Sequence, residues 1–128
     1  MIKHIRENDM TIRECYAMLG GNYDEILERL SSESMVDKFV GFFLSDESYD
    51  TLVKAMESRN KEDAFRAAHT LKGVCANLSF TDLFQASSNL TEELRKPADA
   101  ISAVADELFV KVKEEYEKTV NAIHAYKG

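Results

Sequence analysis

His69 has a cation three residues to either side, Arg66 before it and Lys72 after it. Phe65 precedes it by four residues, Gly73 follows by four, and Ala76 lies one turn beyond. On a helix, residues three and four apart share a face. Placed on a wheel at about 100° per residue, Ala64, Ala67, Ala68, Leu71, Val74, Cys75 and Leu78 fall in one sector, and His69 falls roughly 160° from its centre. The imidazole is therefore expected in solvent. Histidine titrates near neutrality, so a neutral and nucleophilic ring nitrogen is available. Lys72 and Arg66 could meet the oxygens of a phosphoryl group. Glycine costs about 1 kcal/mol relative to alanine in a helix interior. With Ala76, Gly73 leaves the imidazole open to close approach by another protein, and Phe65 offers it an apolar contact. Phosphoryl transfer needs chiefly alignment and charge stabilisation. An exposed imidazole with cations is half of such a site; metal and acceptor carboxylates would come from a partner.

Plainer readings stand beside these. His4 and His124 lie near chain ends, where histidines are ordinarily just exposed. Lys72 alone is an ordinary solvated lysine. Arg66 has Glu62 and Asp63 at ion-pair spacing. Phe65 could instead be half-buried against a neighbouring helix.

The elements that must hold these residues read as helices from end to end. Thr11 with Glu14, and Asn22 with Glu25, have capping-box spacing and start two short helices, the first ending at Gly20-Gly21 and the second running through Leu30. Ser31 and Ser32 can cap a third helix. Residues 33–58 read as one long helix, or two with a break near Ser45-Asp46. Asn60 with Asp63 caps a helix through about Asn77. Ser79 or Thr81 caps the next, with Leu83, Ser87, Leu90 and Leu94 on one stripe. Pro97 suits a helix start. The last helix carries Ile101, Val104, Leu108, Val112, Val120 and Ile123 on one side and would extend about 43 Å. The stripe of phenylalanine and methionine from Met35 to Phe43 reads as core, and the charged run Lys111 to Lys118 as a solvated face. Nothing alternates with period two. The expected fold is all-α, an antiparallel up-down four-helix bundle over 32–126 with two short N-terminal helices over 1–31, the whole of 1–128 forming one domain. Residues 1–9 are expected to fray.

Composition narrows the possible functions. The 128 residues carry a formal net charge of -7, which disfavours nucleic acid and anionic membrane surfaces. Apolar runs are too short to span a bilayer. The first residues have no apolar signal core, so a cytoplasmic protein is expected. Cys15 and Cys75 form no C-x-x-C pair and read as small core residues without a disulfide. No histidine has glutamate three residues before it, as a di-iron bundle requires. No nucleotide-binding fingerprint and no nucleophile elbow occurs, so no kinase activity and no ATP site are expected.

The run Ala67-Ala68-His69-Thr70-Leu71-Lys72-Gly73, then Ala76-Asn77-Leu78, resembles the signature of histidine phosphotransfer (HPt) domains, H-x-L-K-G followed by a small residue, a leucine and a helix break. The likeness extends from about residue 33 to 95, through Phe39, Leu83, Ala86 and Leu90. It implies that His69 accepts a phosphoryl group from a receiver-domain aspartate and passes it to another. It implies that Lys72 steadies the phosphoryl oxygens and that Gly73 keeps the approach open. The protein would be a monomeric phosphocarrier with no cofactor of its own, magnesium belonging to the receiver. The partners would be receiver domains of a hybrid sensor kinase or a response regulator. Ser79 stands where the family usually has glycine; it could cap the following helix. Thr91 stands where the family often has glutamine or glutamate to orient the imidazole. An adaptor that docks receivers without transfer is the alternative.

Overall fold

Helix starts fall where short polar side chains can take up amide N–H groups that a first turn leaves unpaired. The computed structural model describes residues 10–128, and the described residues form helices with no strand. Helix α1 (Ile12–Leu19) opens on a capping box: the Thr11 hydroxyl accepts from Glu14 N, and the Glu14 carboxylate accepts from Thr11 N. Asn22 caps α2 (Tyr23–Leu30), and Ser32 caps α3 (Glu33–Phe43). Helix α4 (Ser48–Glu57) starts with Ser48 N donating to Asp46 Oδ2 at 2.9 Å. Asn60 caps α5 (Lys61–Leu78); α6 (Thr81–Arg95) and α7 (Ala103–Lys127) come after it. The stretch 33–58 is thus two helices, and Ser45-Asp46 lies in the break. The expected fraying of residues 1–9, with His4, lies outside the described residues.

Two expected helix starts are corrected. Neither Ser79 nor Thr81 caps α6. Ser79 closes α5 in the left-handed region at φ 57°, and Thr81 is already helical. The carbonyl of Gly20 supplies the missing acceptor, taking Asp82 N at 2.9 Å. Pro97 starts no helix. It lies exposed in the connection between α6 and α7, and Ser102 caps α7 instead, its Oγ accepting from Ala105 N at 3.0 Å. The 25 residues of α7 span about 37 Å, shorter than the expected length.

Helix α5 lies between α4 and α6, α6 packs on α7, and α1 runs along α7. An aromatic cluster joins the far elements to this core. Phe43 meets Phe80 edge-on at 5.1 Å, Tyr16 packs on Phe80 at 5.6 Å, and Tyr49 stacks on Tyr116 at 3.7 Å. The buried Tyr16 hydroxyl donates to the Leu78 carbonyl at 2.7 Å, which ties α1 to the end of α5. Such buried hydroxyls need a partner, because an unmet one costs about 1–3 kcal/mol. Leu83, Ser87, Leu90 and Leu94 are all buried, as are both cysteines, which are free thiols.

Three packing expectations change. Val36, Val40 and Phe43 are core, but Met35, Phe39 and Phe42 of the same stripe are exposed, Phe42 at 55%. Helix α3 has core on one side only, so residues on its other side stay outside. On α7, Val104 is exposed and Ala105 takes the buried position. The run Lys111 to Lys118 is not wholly solvated: Val112 is core, and Glu115 is buried between Lys111 (3.1 Å) and Lys118 (2.8 Å). Among the described residues, no helix is long and apolar enough to cross a membrane.

Candidate functional site

The site is built on the outer face of α5. Its inner face, Ala64, Ala67, Ala68, Leu71, Cys75 and Leu78, is buried as the wheel requires, with Val74 half-buried at the margin. Alanines at three of these places let α4 and α6 approach closely, and that packing fixes the helix against its neighbours. With the inner face pinned, His69 projects into solvent.

Phe65 is half-buried and lies along the imidazole, ring centroids 6.0 Å apart and planes 30° apart. The half-buried reading raised for it is thus the one seen, with the ring resting partly against the fold beside the histidine. Lys72 is half-buried too. Its Nζ sits 6.0 Å from the centre of the Phe84 ring on α6, and it has no carboxylate partner among the described residues. A cation over an aromatic face is held there by the ring quadrupole.

Gly73 is exposed, and a Cβ added there would meet nothing within 4 Å. The fold itself therefore has no steric need for glycine at this position. Ala76, one turn on, is exposed as well. At Gly73 and Ala76 the surface is helix backbone and a methyl group.

Arg66 takes the plainer course. Its guanidinium bonds the Glu62 carboxylate and reaches Asp63 at 3.4 Å, both one turn back and away from Lys72. The structure thus brings together His69, Lys72, Gly73, Phe65 and Ala76 and directs Arg66 elsewhere.

Thr91 does not face the imidazole. It is fully buried, and its hydroxyl donates to the Ser87 carbonyl at 2.7 Å within α6. Two α6 residues not singled out in the sequence border the site instead. Arg95 places its guanidinium 5.0 Å from the centre of the Phe65 ring, and its Nε donates to Glu92 at 2.8 Å. The Glu92 carboxyl is held below its ordinary range first by that bond from Arg95, with burial opposing, and then by the charges of Arg95, Lys72 and His69. The i,i+3 spacing of Glu92 and Arg95 was visible in the sequence; that this pair abuts Phe65 depends on how α6 is rotated against α5.

The end of α5 is tied down from a distance. Arg29 Nη1 donates to the carbonyls of Ala76 (3.3 Å) and Asn77 (2.7 Å) and to Ser79 Oγ (3.2 Å), and Ser79 Oγ donates to Glu25 at 2.7 Å. Beside it a cleft of about 380 Å³ opens between α2, α3 and α5, with Leu30, Phe39, Phe42, Val74 and Asn77 on its walls. Among the described residues, no three His, Cys, Asp or Glu side chains are grouped to hold a metal ion.

A family model described as Hpt domain matches residues 42–128, from the last turn of α3 to the end of the chain. No curated protein matches the chain, and no solved structure does.

Proposed function

The chain belongs to the Hpt domain family, whose members carry phosphoryl groups on histidine in phosphorelays, and from that premise we propose that His69 is the residue that carries it here. The observation behind this reading is the exposed His69, with the half-buried Lys72 one turn on and an open surface at Gly73. A neutral ring nitrogen attacks the phosphorus of a receiver's phospho-aspartate. The P–N bond forms as the P–O bond breaks, and the electron pair leaves with the aspartate carboxylate. The reverse reaction on a second receiver discharges the histidine. Lys72 steadies the phosphoryl oxygens, and Gly73 and Ala76 let the receiver come close. Phe65 and the Phe39–Phe42 side of the neighbouring cleft supply apolar contact.

In this reading the protein is a monomeric, cytoplasmic phosphocarrier with no ATP site. Helices α3 with α4, α5, α6 and α7 form the antiparallel up-down four-helix arrangement, and magnesium is the receiver's. The test is incubation with phosphorylated receiver domains beside a His69→Gln variant. Acid-labile, base-stable label on the native protein and none on the variant is the expected result. Label retained by the variant would end the assignment of His69.

The placement of Thr91 favours a second reading. With its hydroxyl committed to Ser87, it cannot orient the imidazole. A domain that docks receivers without transferring phosphate would bind them and take up no label.

A further inference from the structure

We infer that Arg95 is a positioning residue for the phosphorylated state, exchanging the Glu92 carboxylate for the phosphoryl oxygens when His69 is charged. This rests on His69 being the carrier. Three contacts support it. The Phe65 ring lies along the His69 ring, and the Arg95 guanidinium sits over that same Phe65 ring, so the aromatic side chain is a shelf leading from the cation to the imidazole. Glu92 holds Arg95 on this shelf by a bond at 2.8 Å between two side chains that are each more than half exposed. An exposed pair of this kind is weak, because water screens it. A phosphoryl dianion on His69 is a stronger acceptor, with a geometry that a guanidinium fork fits.

The alternative cation, Arg66, is held by two carboxylates, Glu62 and Asp63, whereas Arg95 is held by one. Lys72, over Phe84, covers the side of His69 toward the C-terminal end of α5, whereas Phe65 and Arg95 lie toward its N-terminal end. Lys72, one turn after His69, and Arg95, beside the Phe65 ring that lies along the imidazole, thus stand on opposite sides of the histidine along α5. Glu92 then has a second effect. Once Arg95 has moved to the phosphoryl oxygens, the Glu92 carboxylate is no longer neutralised and repels them, which limits how firmly phosphate is held.

In the loose transition state of phosphoryl transfer the bond to the leaving nitrogen is largely broken. Electron density has by then moved toward the leaving imidazole. A cation on the phosphoryl oxygens therefore stabilises phosphohistidine more than it stabilises the transition state for hydrolysis. Losing it shortens the lifetime of the charged form.

The experiment charges the full chain with phosphoramidate, which needs no receiver, and follows phosphohistidine decay by acid-labile label. Arg95→Ala should shorten the half-life by about tenfold, the lower end of what one hydrogen bond to a charged group contributes. Arg95→Lys should fall between, and Glu92→Gln should lengthen the half-life. In the native protein the Arg95 Nε–Hε resonance should shift on charging, a signal that a purely structural arginine would not give. An unchanged half-life in Arg95→Ala together with an unmoved Nε–Hε resonance would overturn the inference while leaving His69 as carrier. Label that survives His69→Gln would instead overturn the carrier assignment itself.

Discussion

Arg29 on α2 donates to the Asn77 carbonyl at the end of α5, 2.7 Å away, although the two are far apart in sequence. The same guanidinium meets Ala76 O and Ser79 Oγ, so one cation gathers carbonyls at the end of the helix that carries His69. Cations are favoured at helix C-termini for this reason. Arg29→Ala should lower stability by about 1–2 kcal/mol, read as a lower urea midpoint. Hydrogen exchange should quicken at the amides of the last turn of α5 and stay slow at its centre.

Ser79 accepts from Arg29 and donates to Glu25 while holding a left-handed backbone. Ser79→Ala keeps the strained φ and loses both bonds, so it should cost about 1–2 kcal/mol. Ser79→Gly relieves the backbone while losing the same bonds, and should be markedly less harmful. Equal losses in the two variants would show that the bonds alone matter.

At Gly73 stability and function should part. Alanine there meets no atom of the fold and restores helix propensity, so Gly73→Ala should raise stability by about 1 kcal/mol in chemical denaturation. The same variant should take phosphate from a receiver more slowly, since the added methyl stands in the partner's path. Unchanged transfer would remove access as the reason for glycine.

Thr91 is a packing residue. Thr91→Val keeps its shape, and the Ser87 carbonyl lies within α6, so stability should stay within about 1 kcal/mol and labelling of His69 should not change. Thr91→Gln, though closer to the family pattern, forces a longer polar chain into a filled site. It should cost about 2 kcal/mol. Slower labelling in the valine variant at unchanged stability would restore a role for Thr91 at the imidazole.

Burial pushes the Cys15 thiol up to about 11, with Lys127 opposing slightly, and pushes Cys75 up as well. Neither thiol should react with a disulfide reagent at pH 8 until the protein unfolds. A raised pKa in the folded state means that the unfolded chain loses its proton first. The stability contributed by a neutral Cys15 is whole below the unfolded value, near 9.0, and falls away as pH rises toward about 11. Urea midpoints measured between pH 8 and 11 should decline, and Cys15→Ala should decline less steeply.

What could be read before folding was local. Thr11, Asn22, Ser32 and Asn60 act as caps because a cap involves residues within one turn of each other. The exposure of His69 followed from the spacing of alanines and leucines on its own helix. What escaped was set by neighbours. Phe39 and Phe42 have the composition of core residues, and only the position of α3 against the rest leaves them outside. Pro97 can begin a helix, but the chain crosses to Ser102 first, where Ser102 Oγ also bonds Glu93. Gly20 replaces a side-chain cap on α6 with a backbone carbonyl from another helix, which no short motif records. Arg95 was missed because its place beside Phe65 belongs to the seam of two helices and to neither helix alone.

Two backbone bonds cross between corners of the chain: Asn22 N donates to Ser79 O, and Asp82 N donates to Gly20 O, each at 2.9 Å. Gly20 takes φ 78° there, and a Cβ on Gly21 would fall 2.7 Å from the Ser79 carbonyl, so both glycines are needed for the approach. The α1–α2 corner is thus laced to the α5–α6 corner, although α1 and α2 precede the family-matched region. Opening either corner breaks both bonds, so the two should exchange their amide protons as one cooperative unit. A fragment cut at residue 42 would shed Tyr16, Leu19 and Ile26 from the core and leave the far end of the histidine-bearing helix without its clasp.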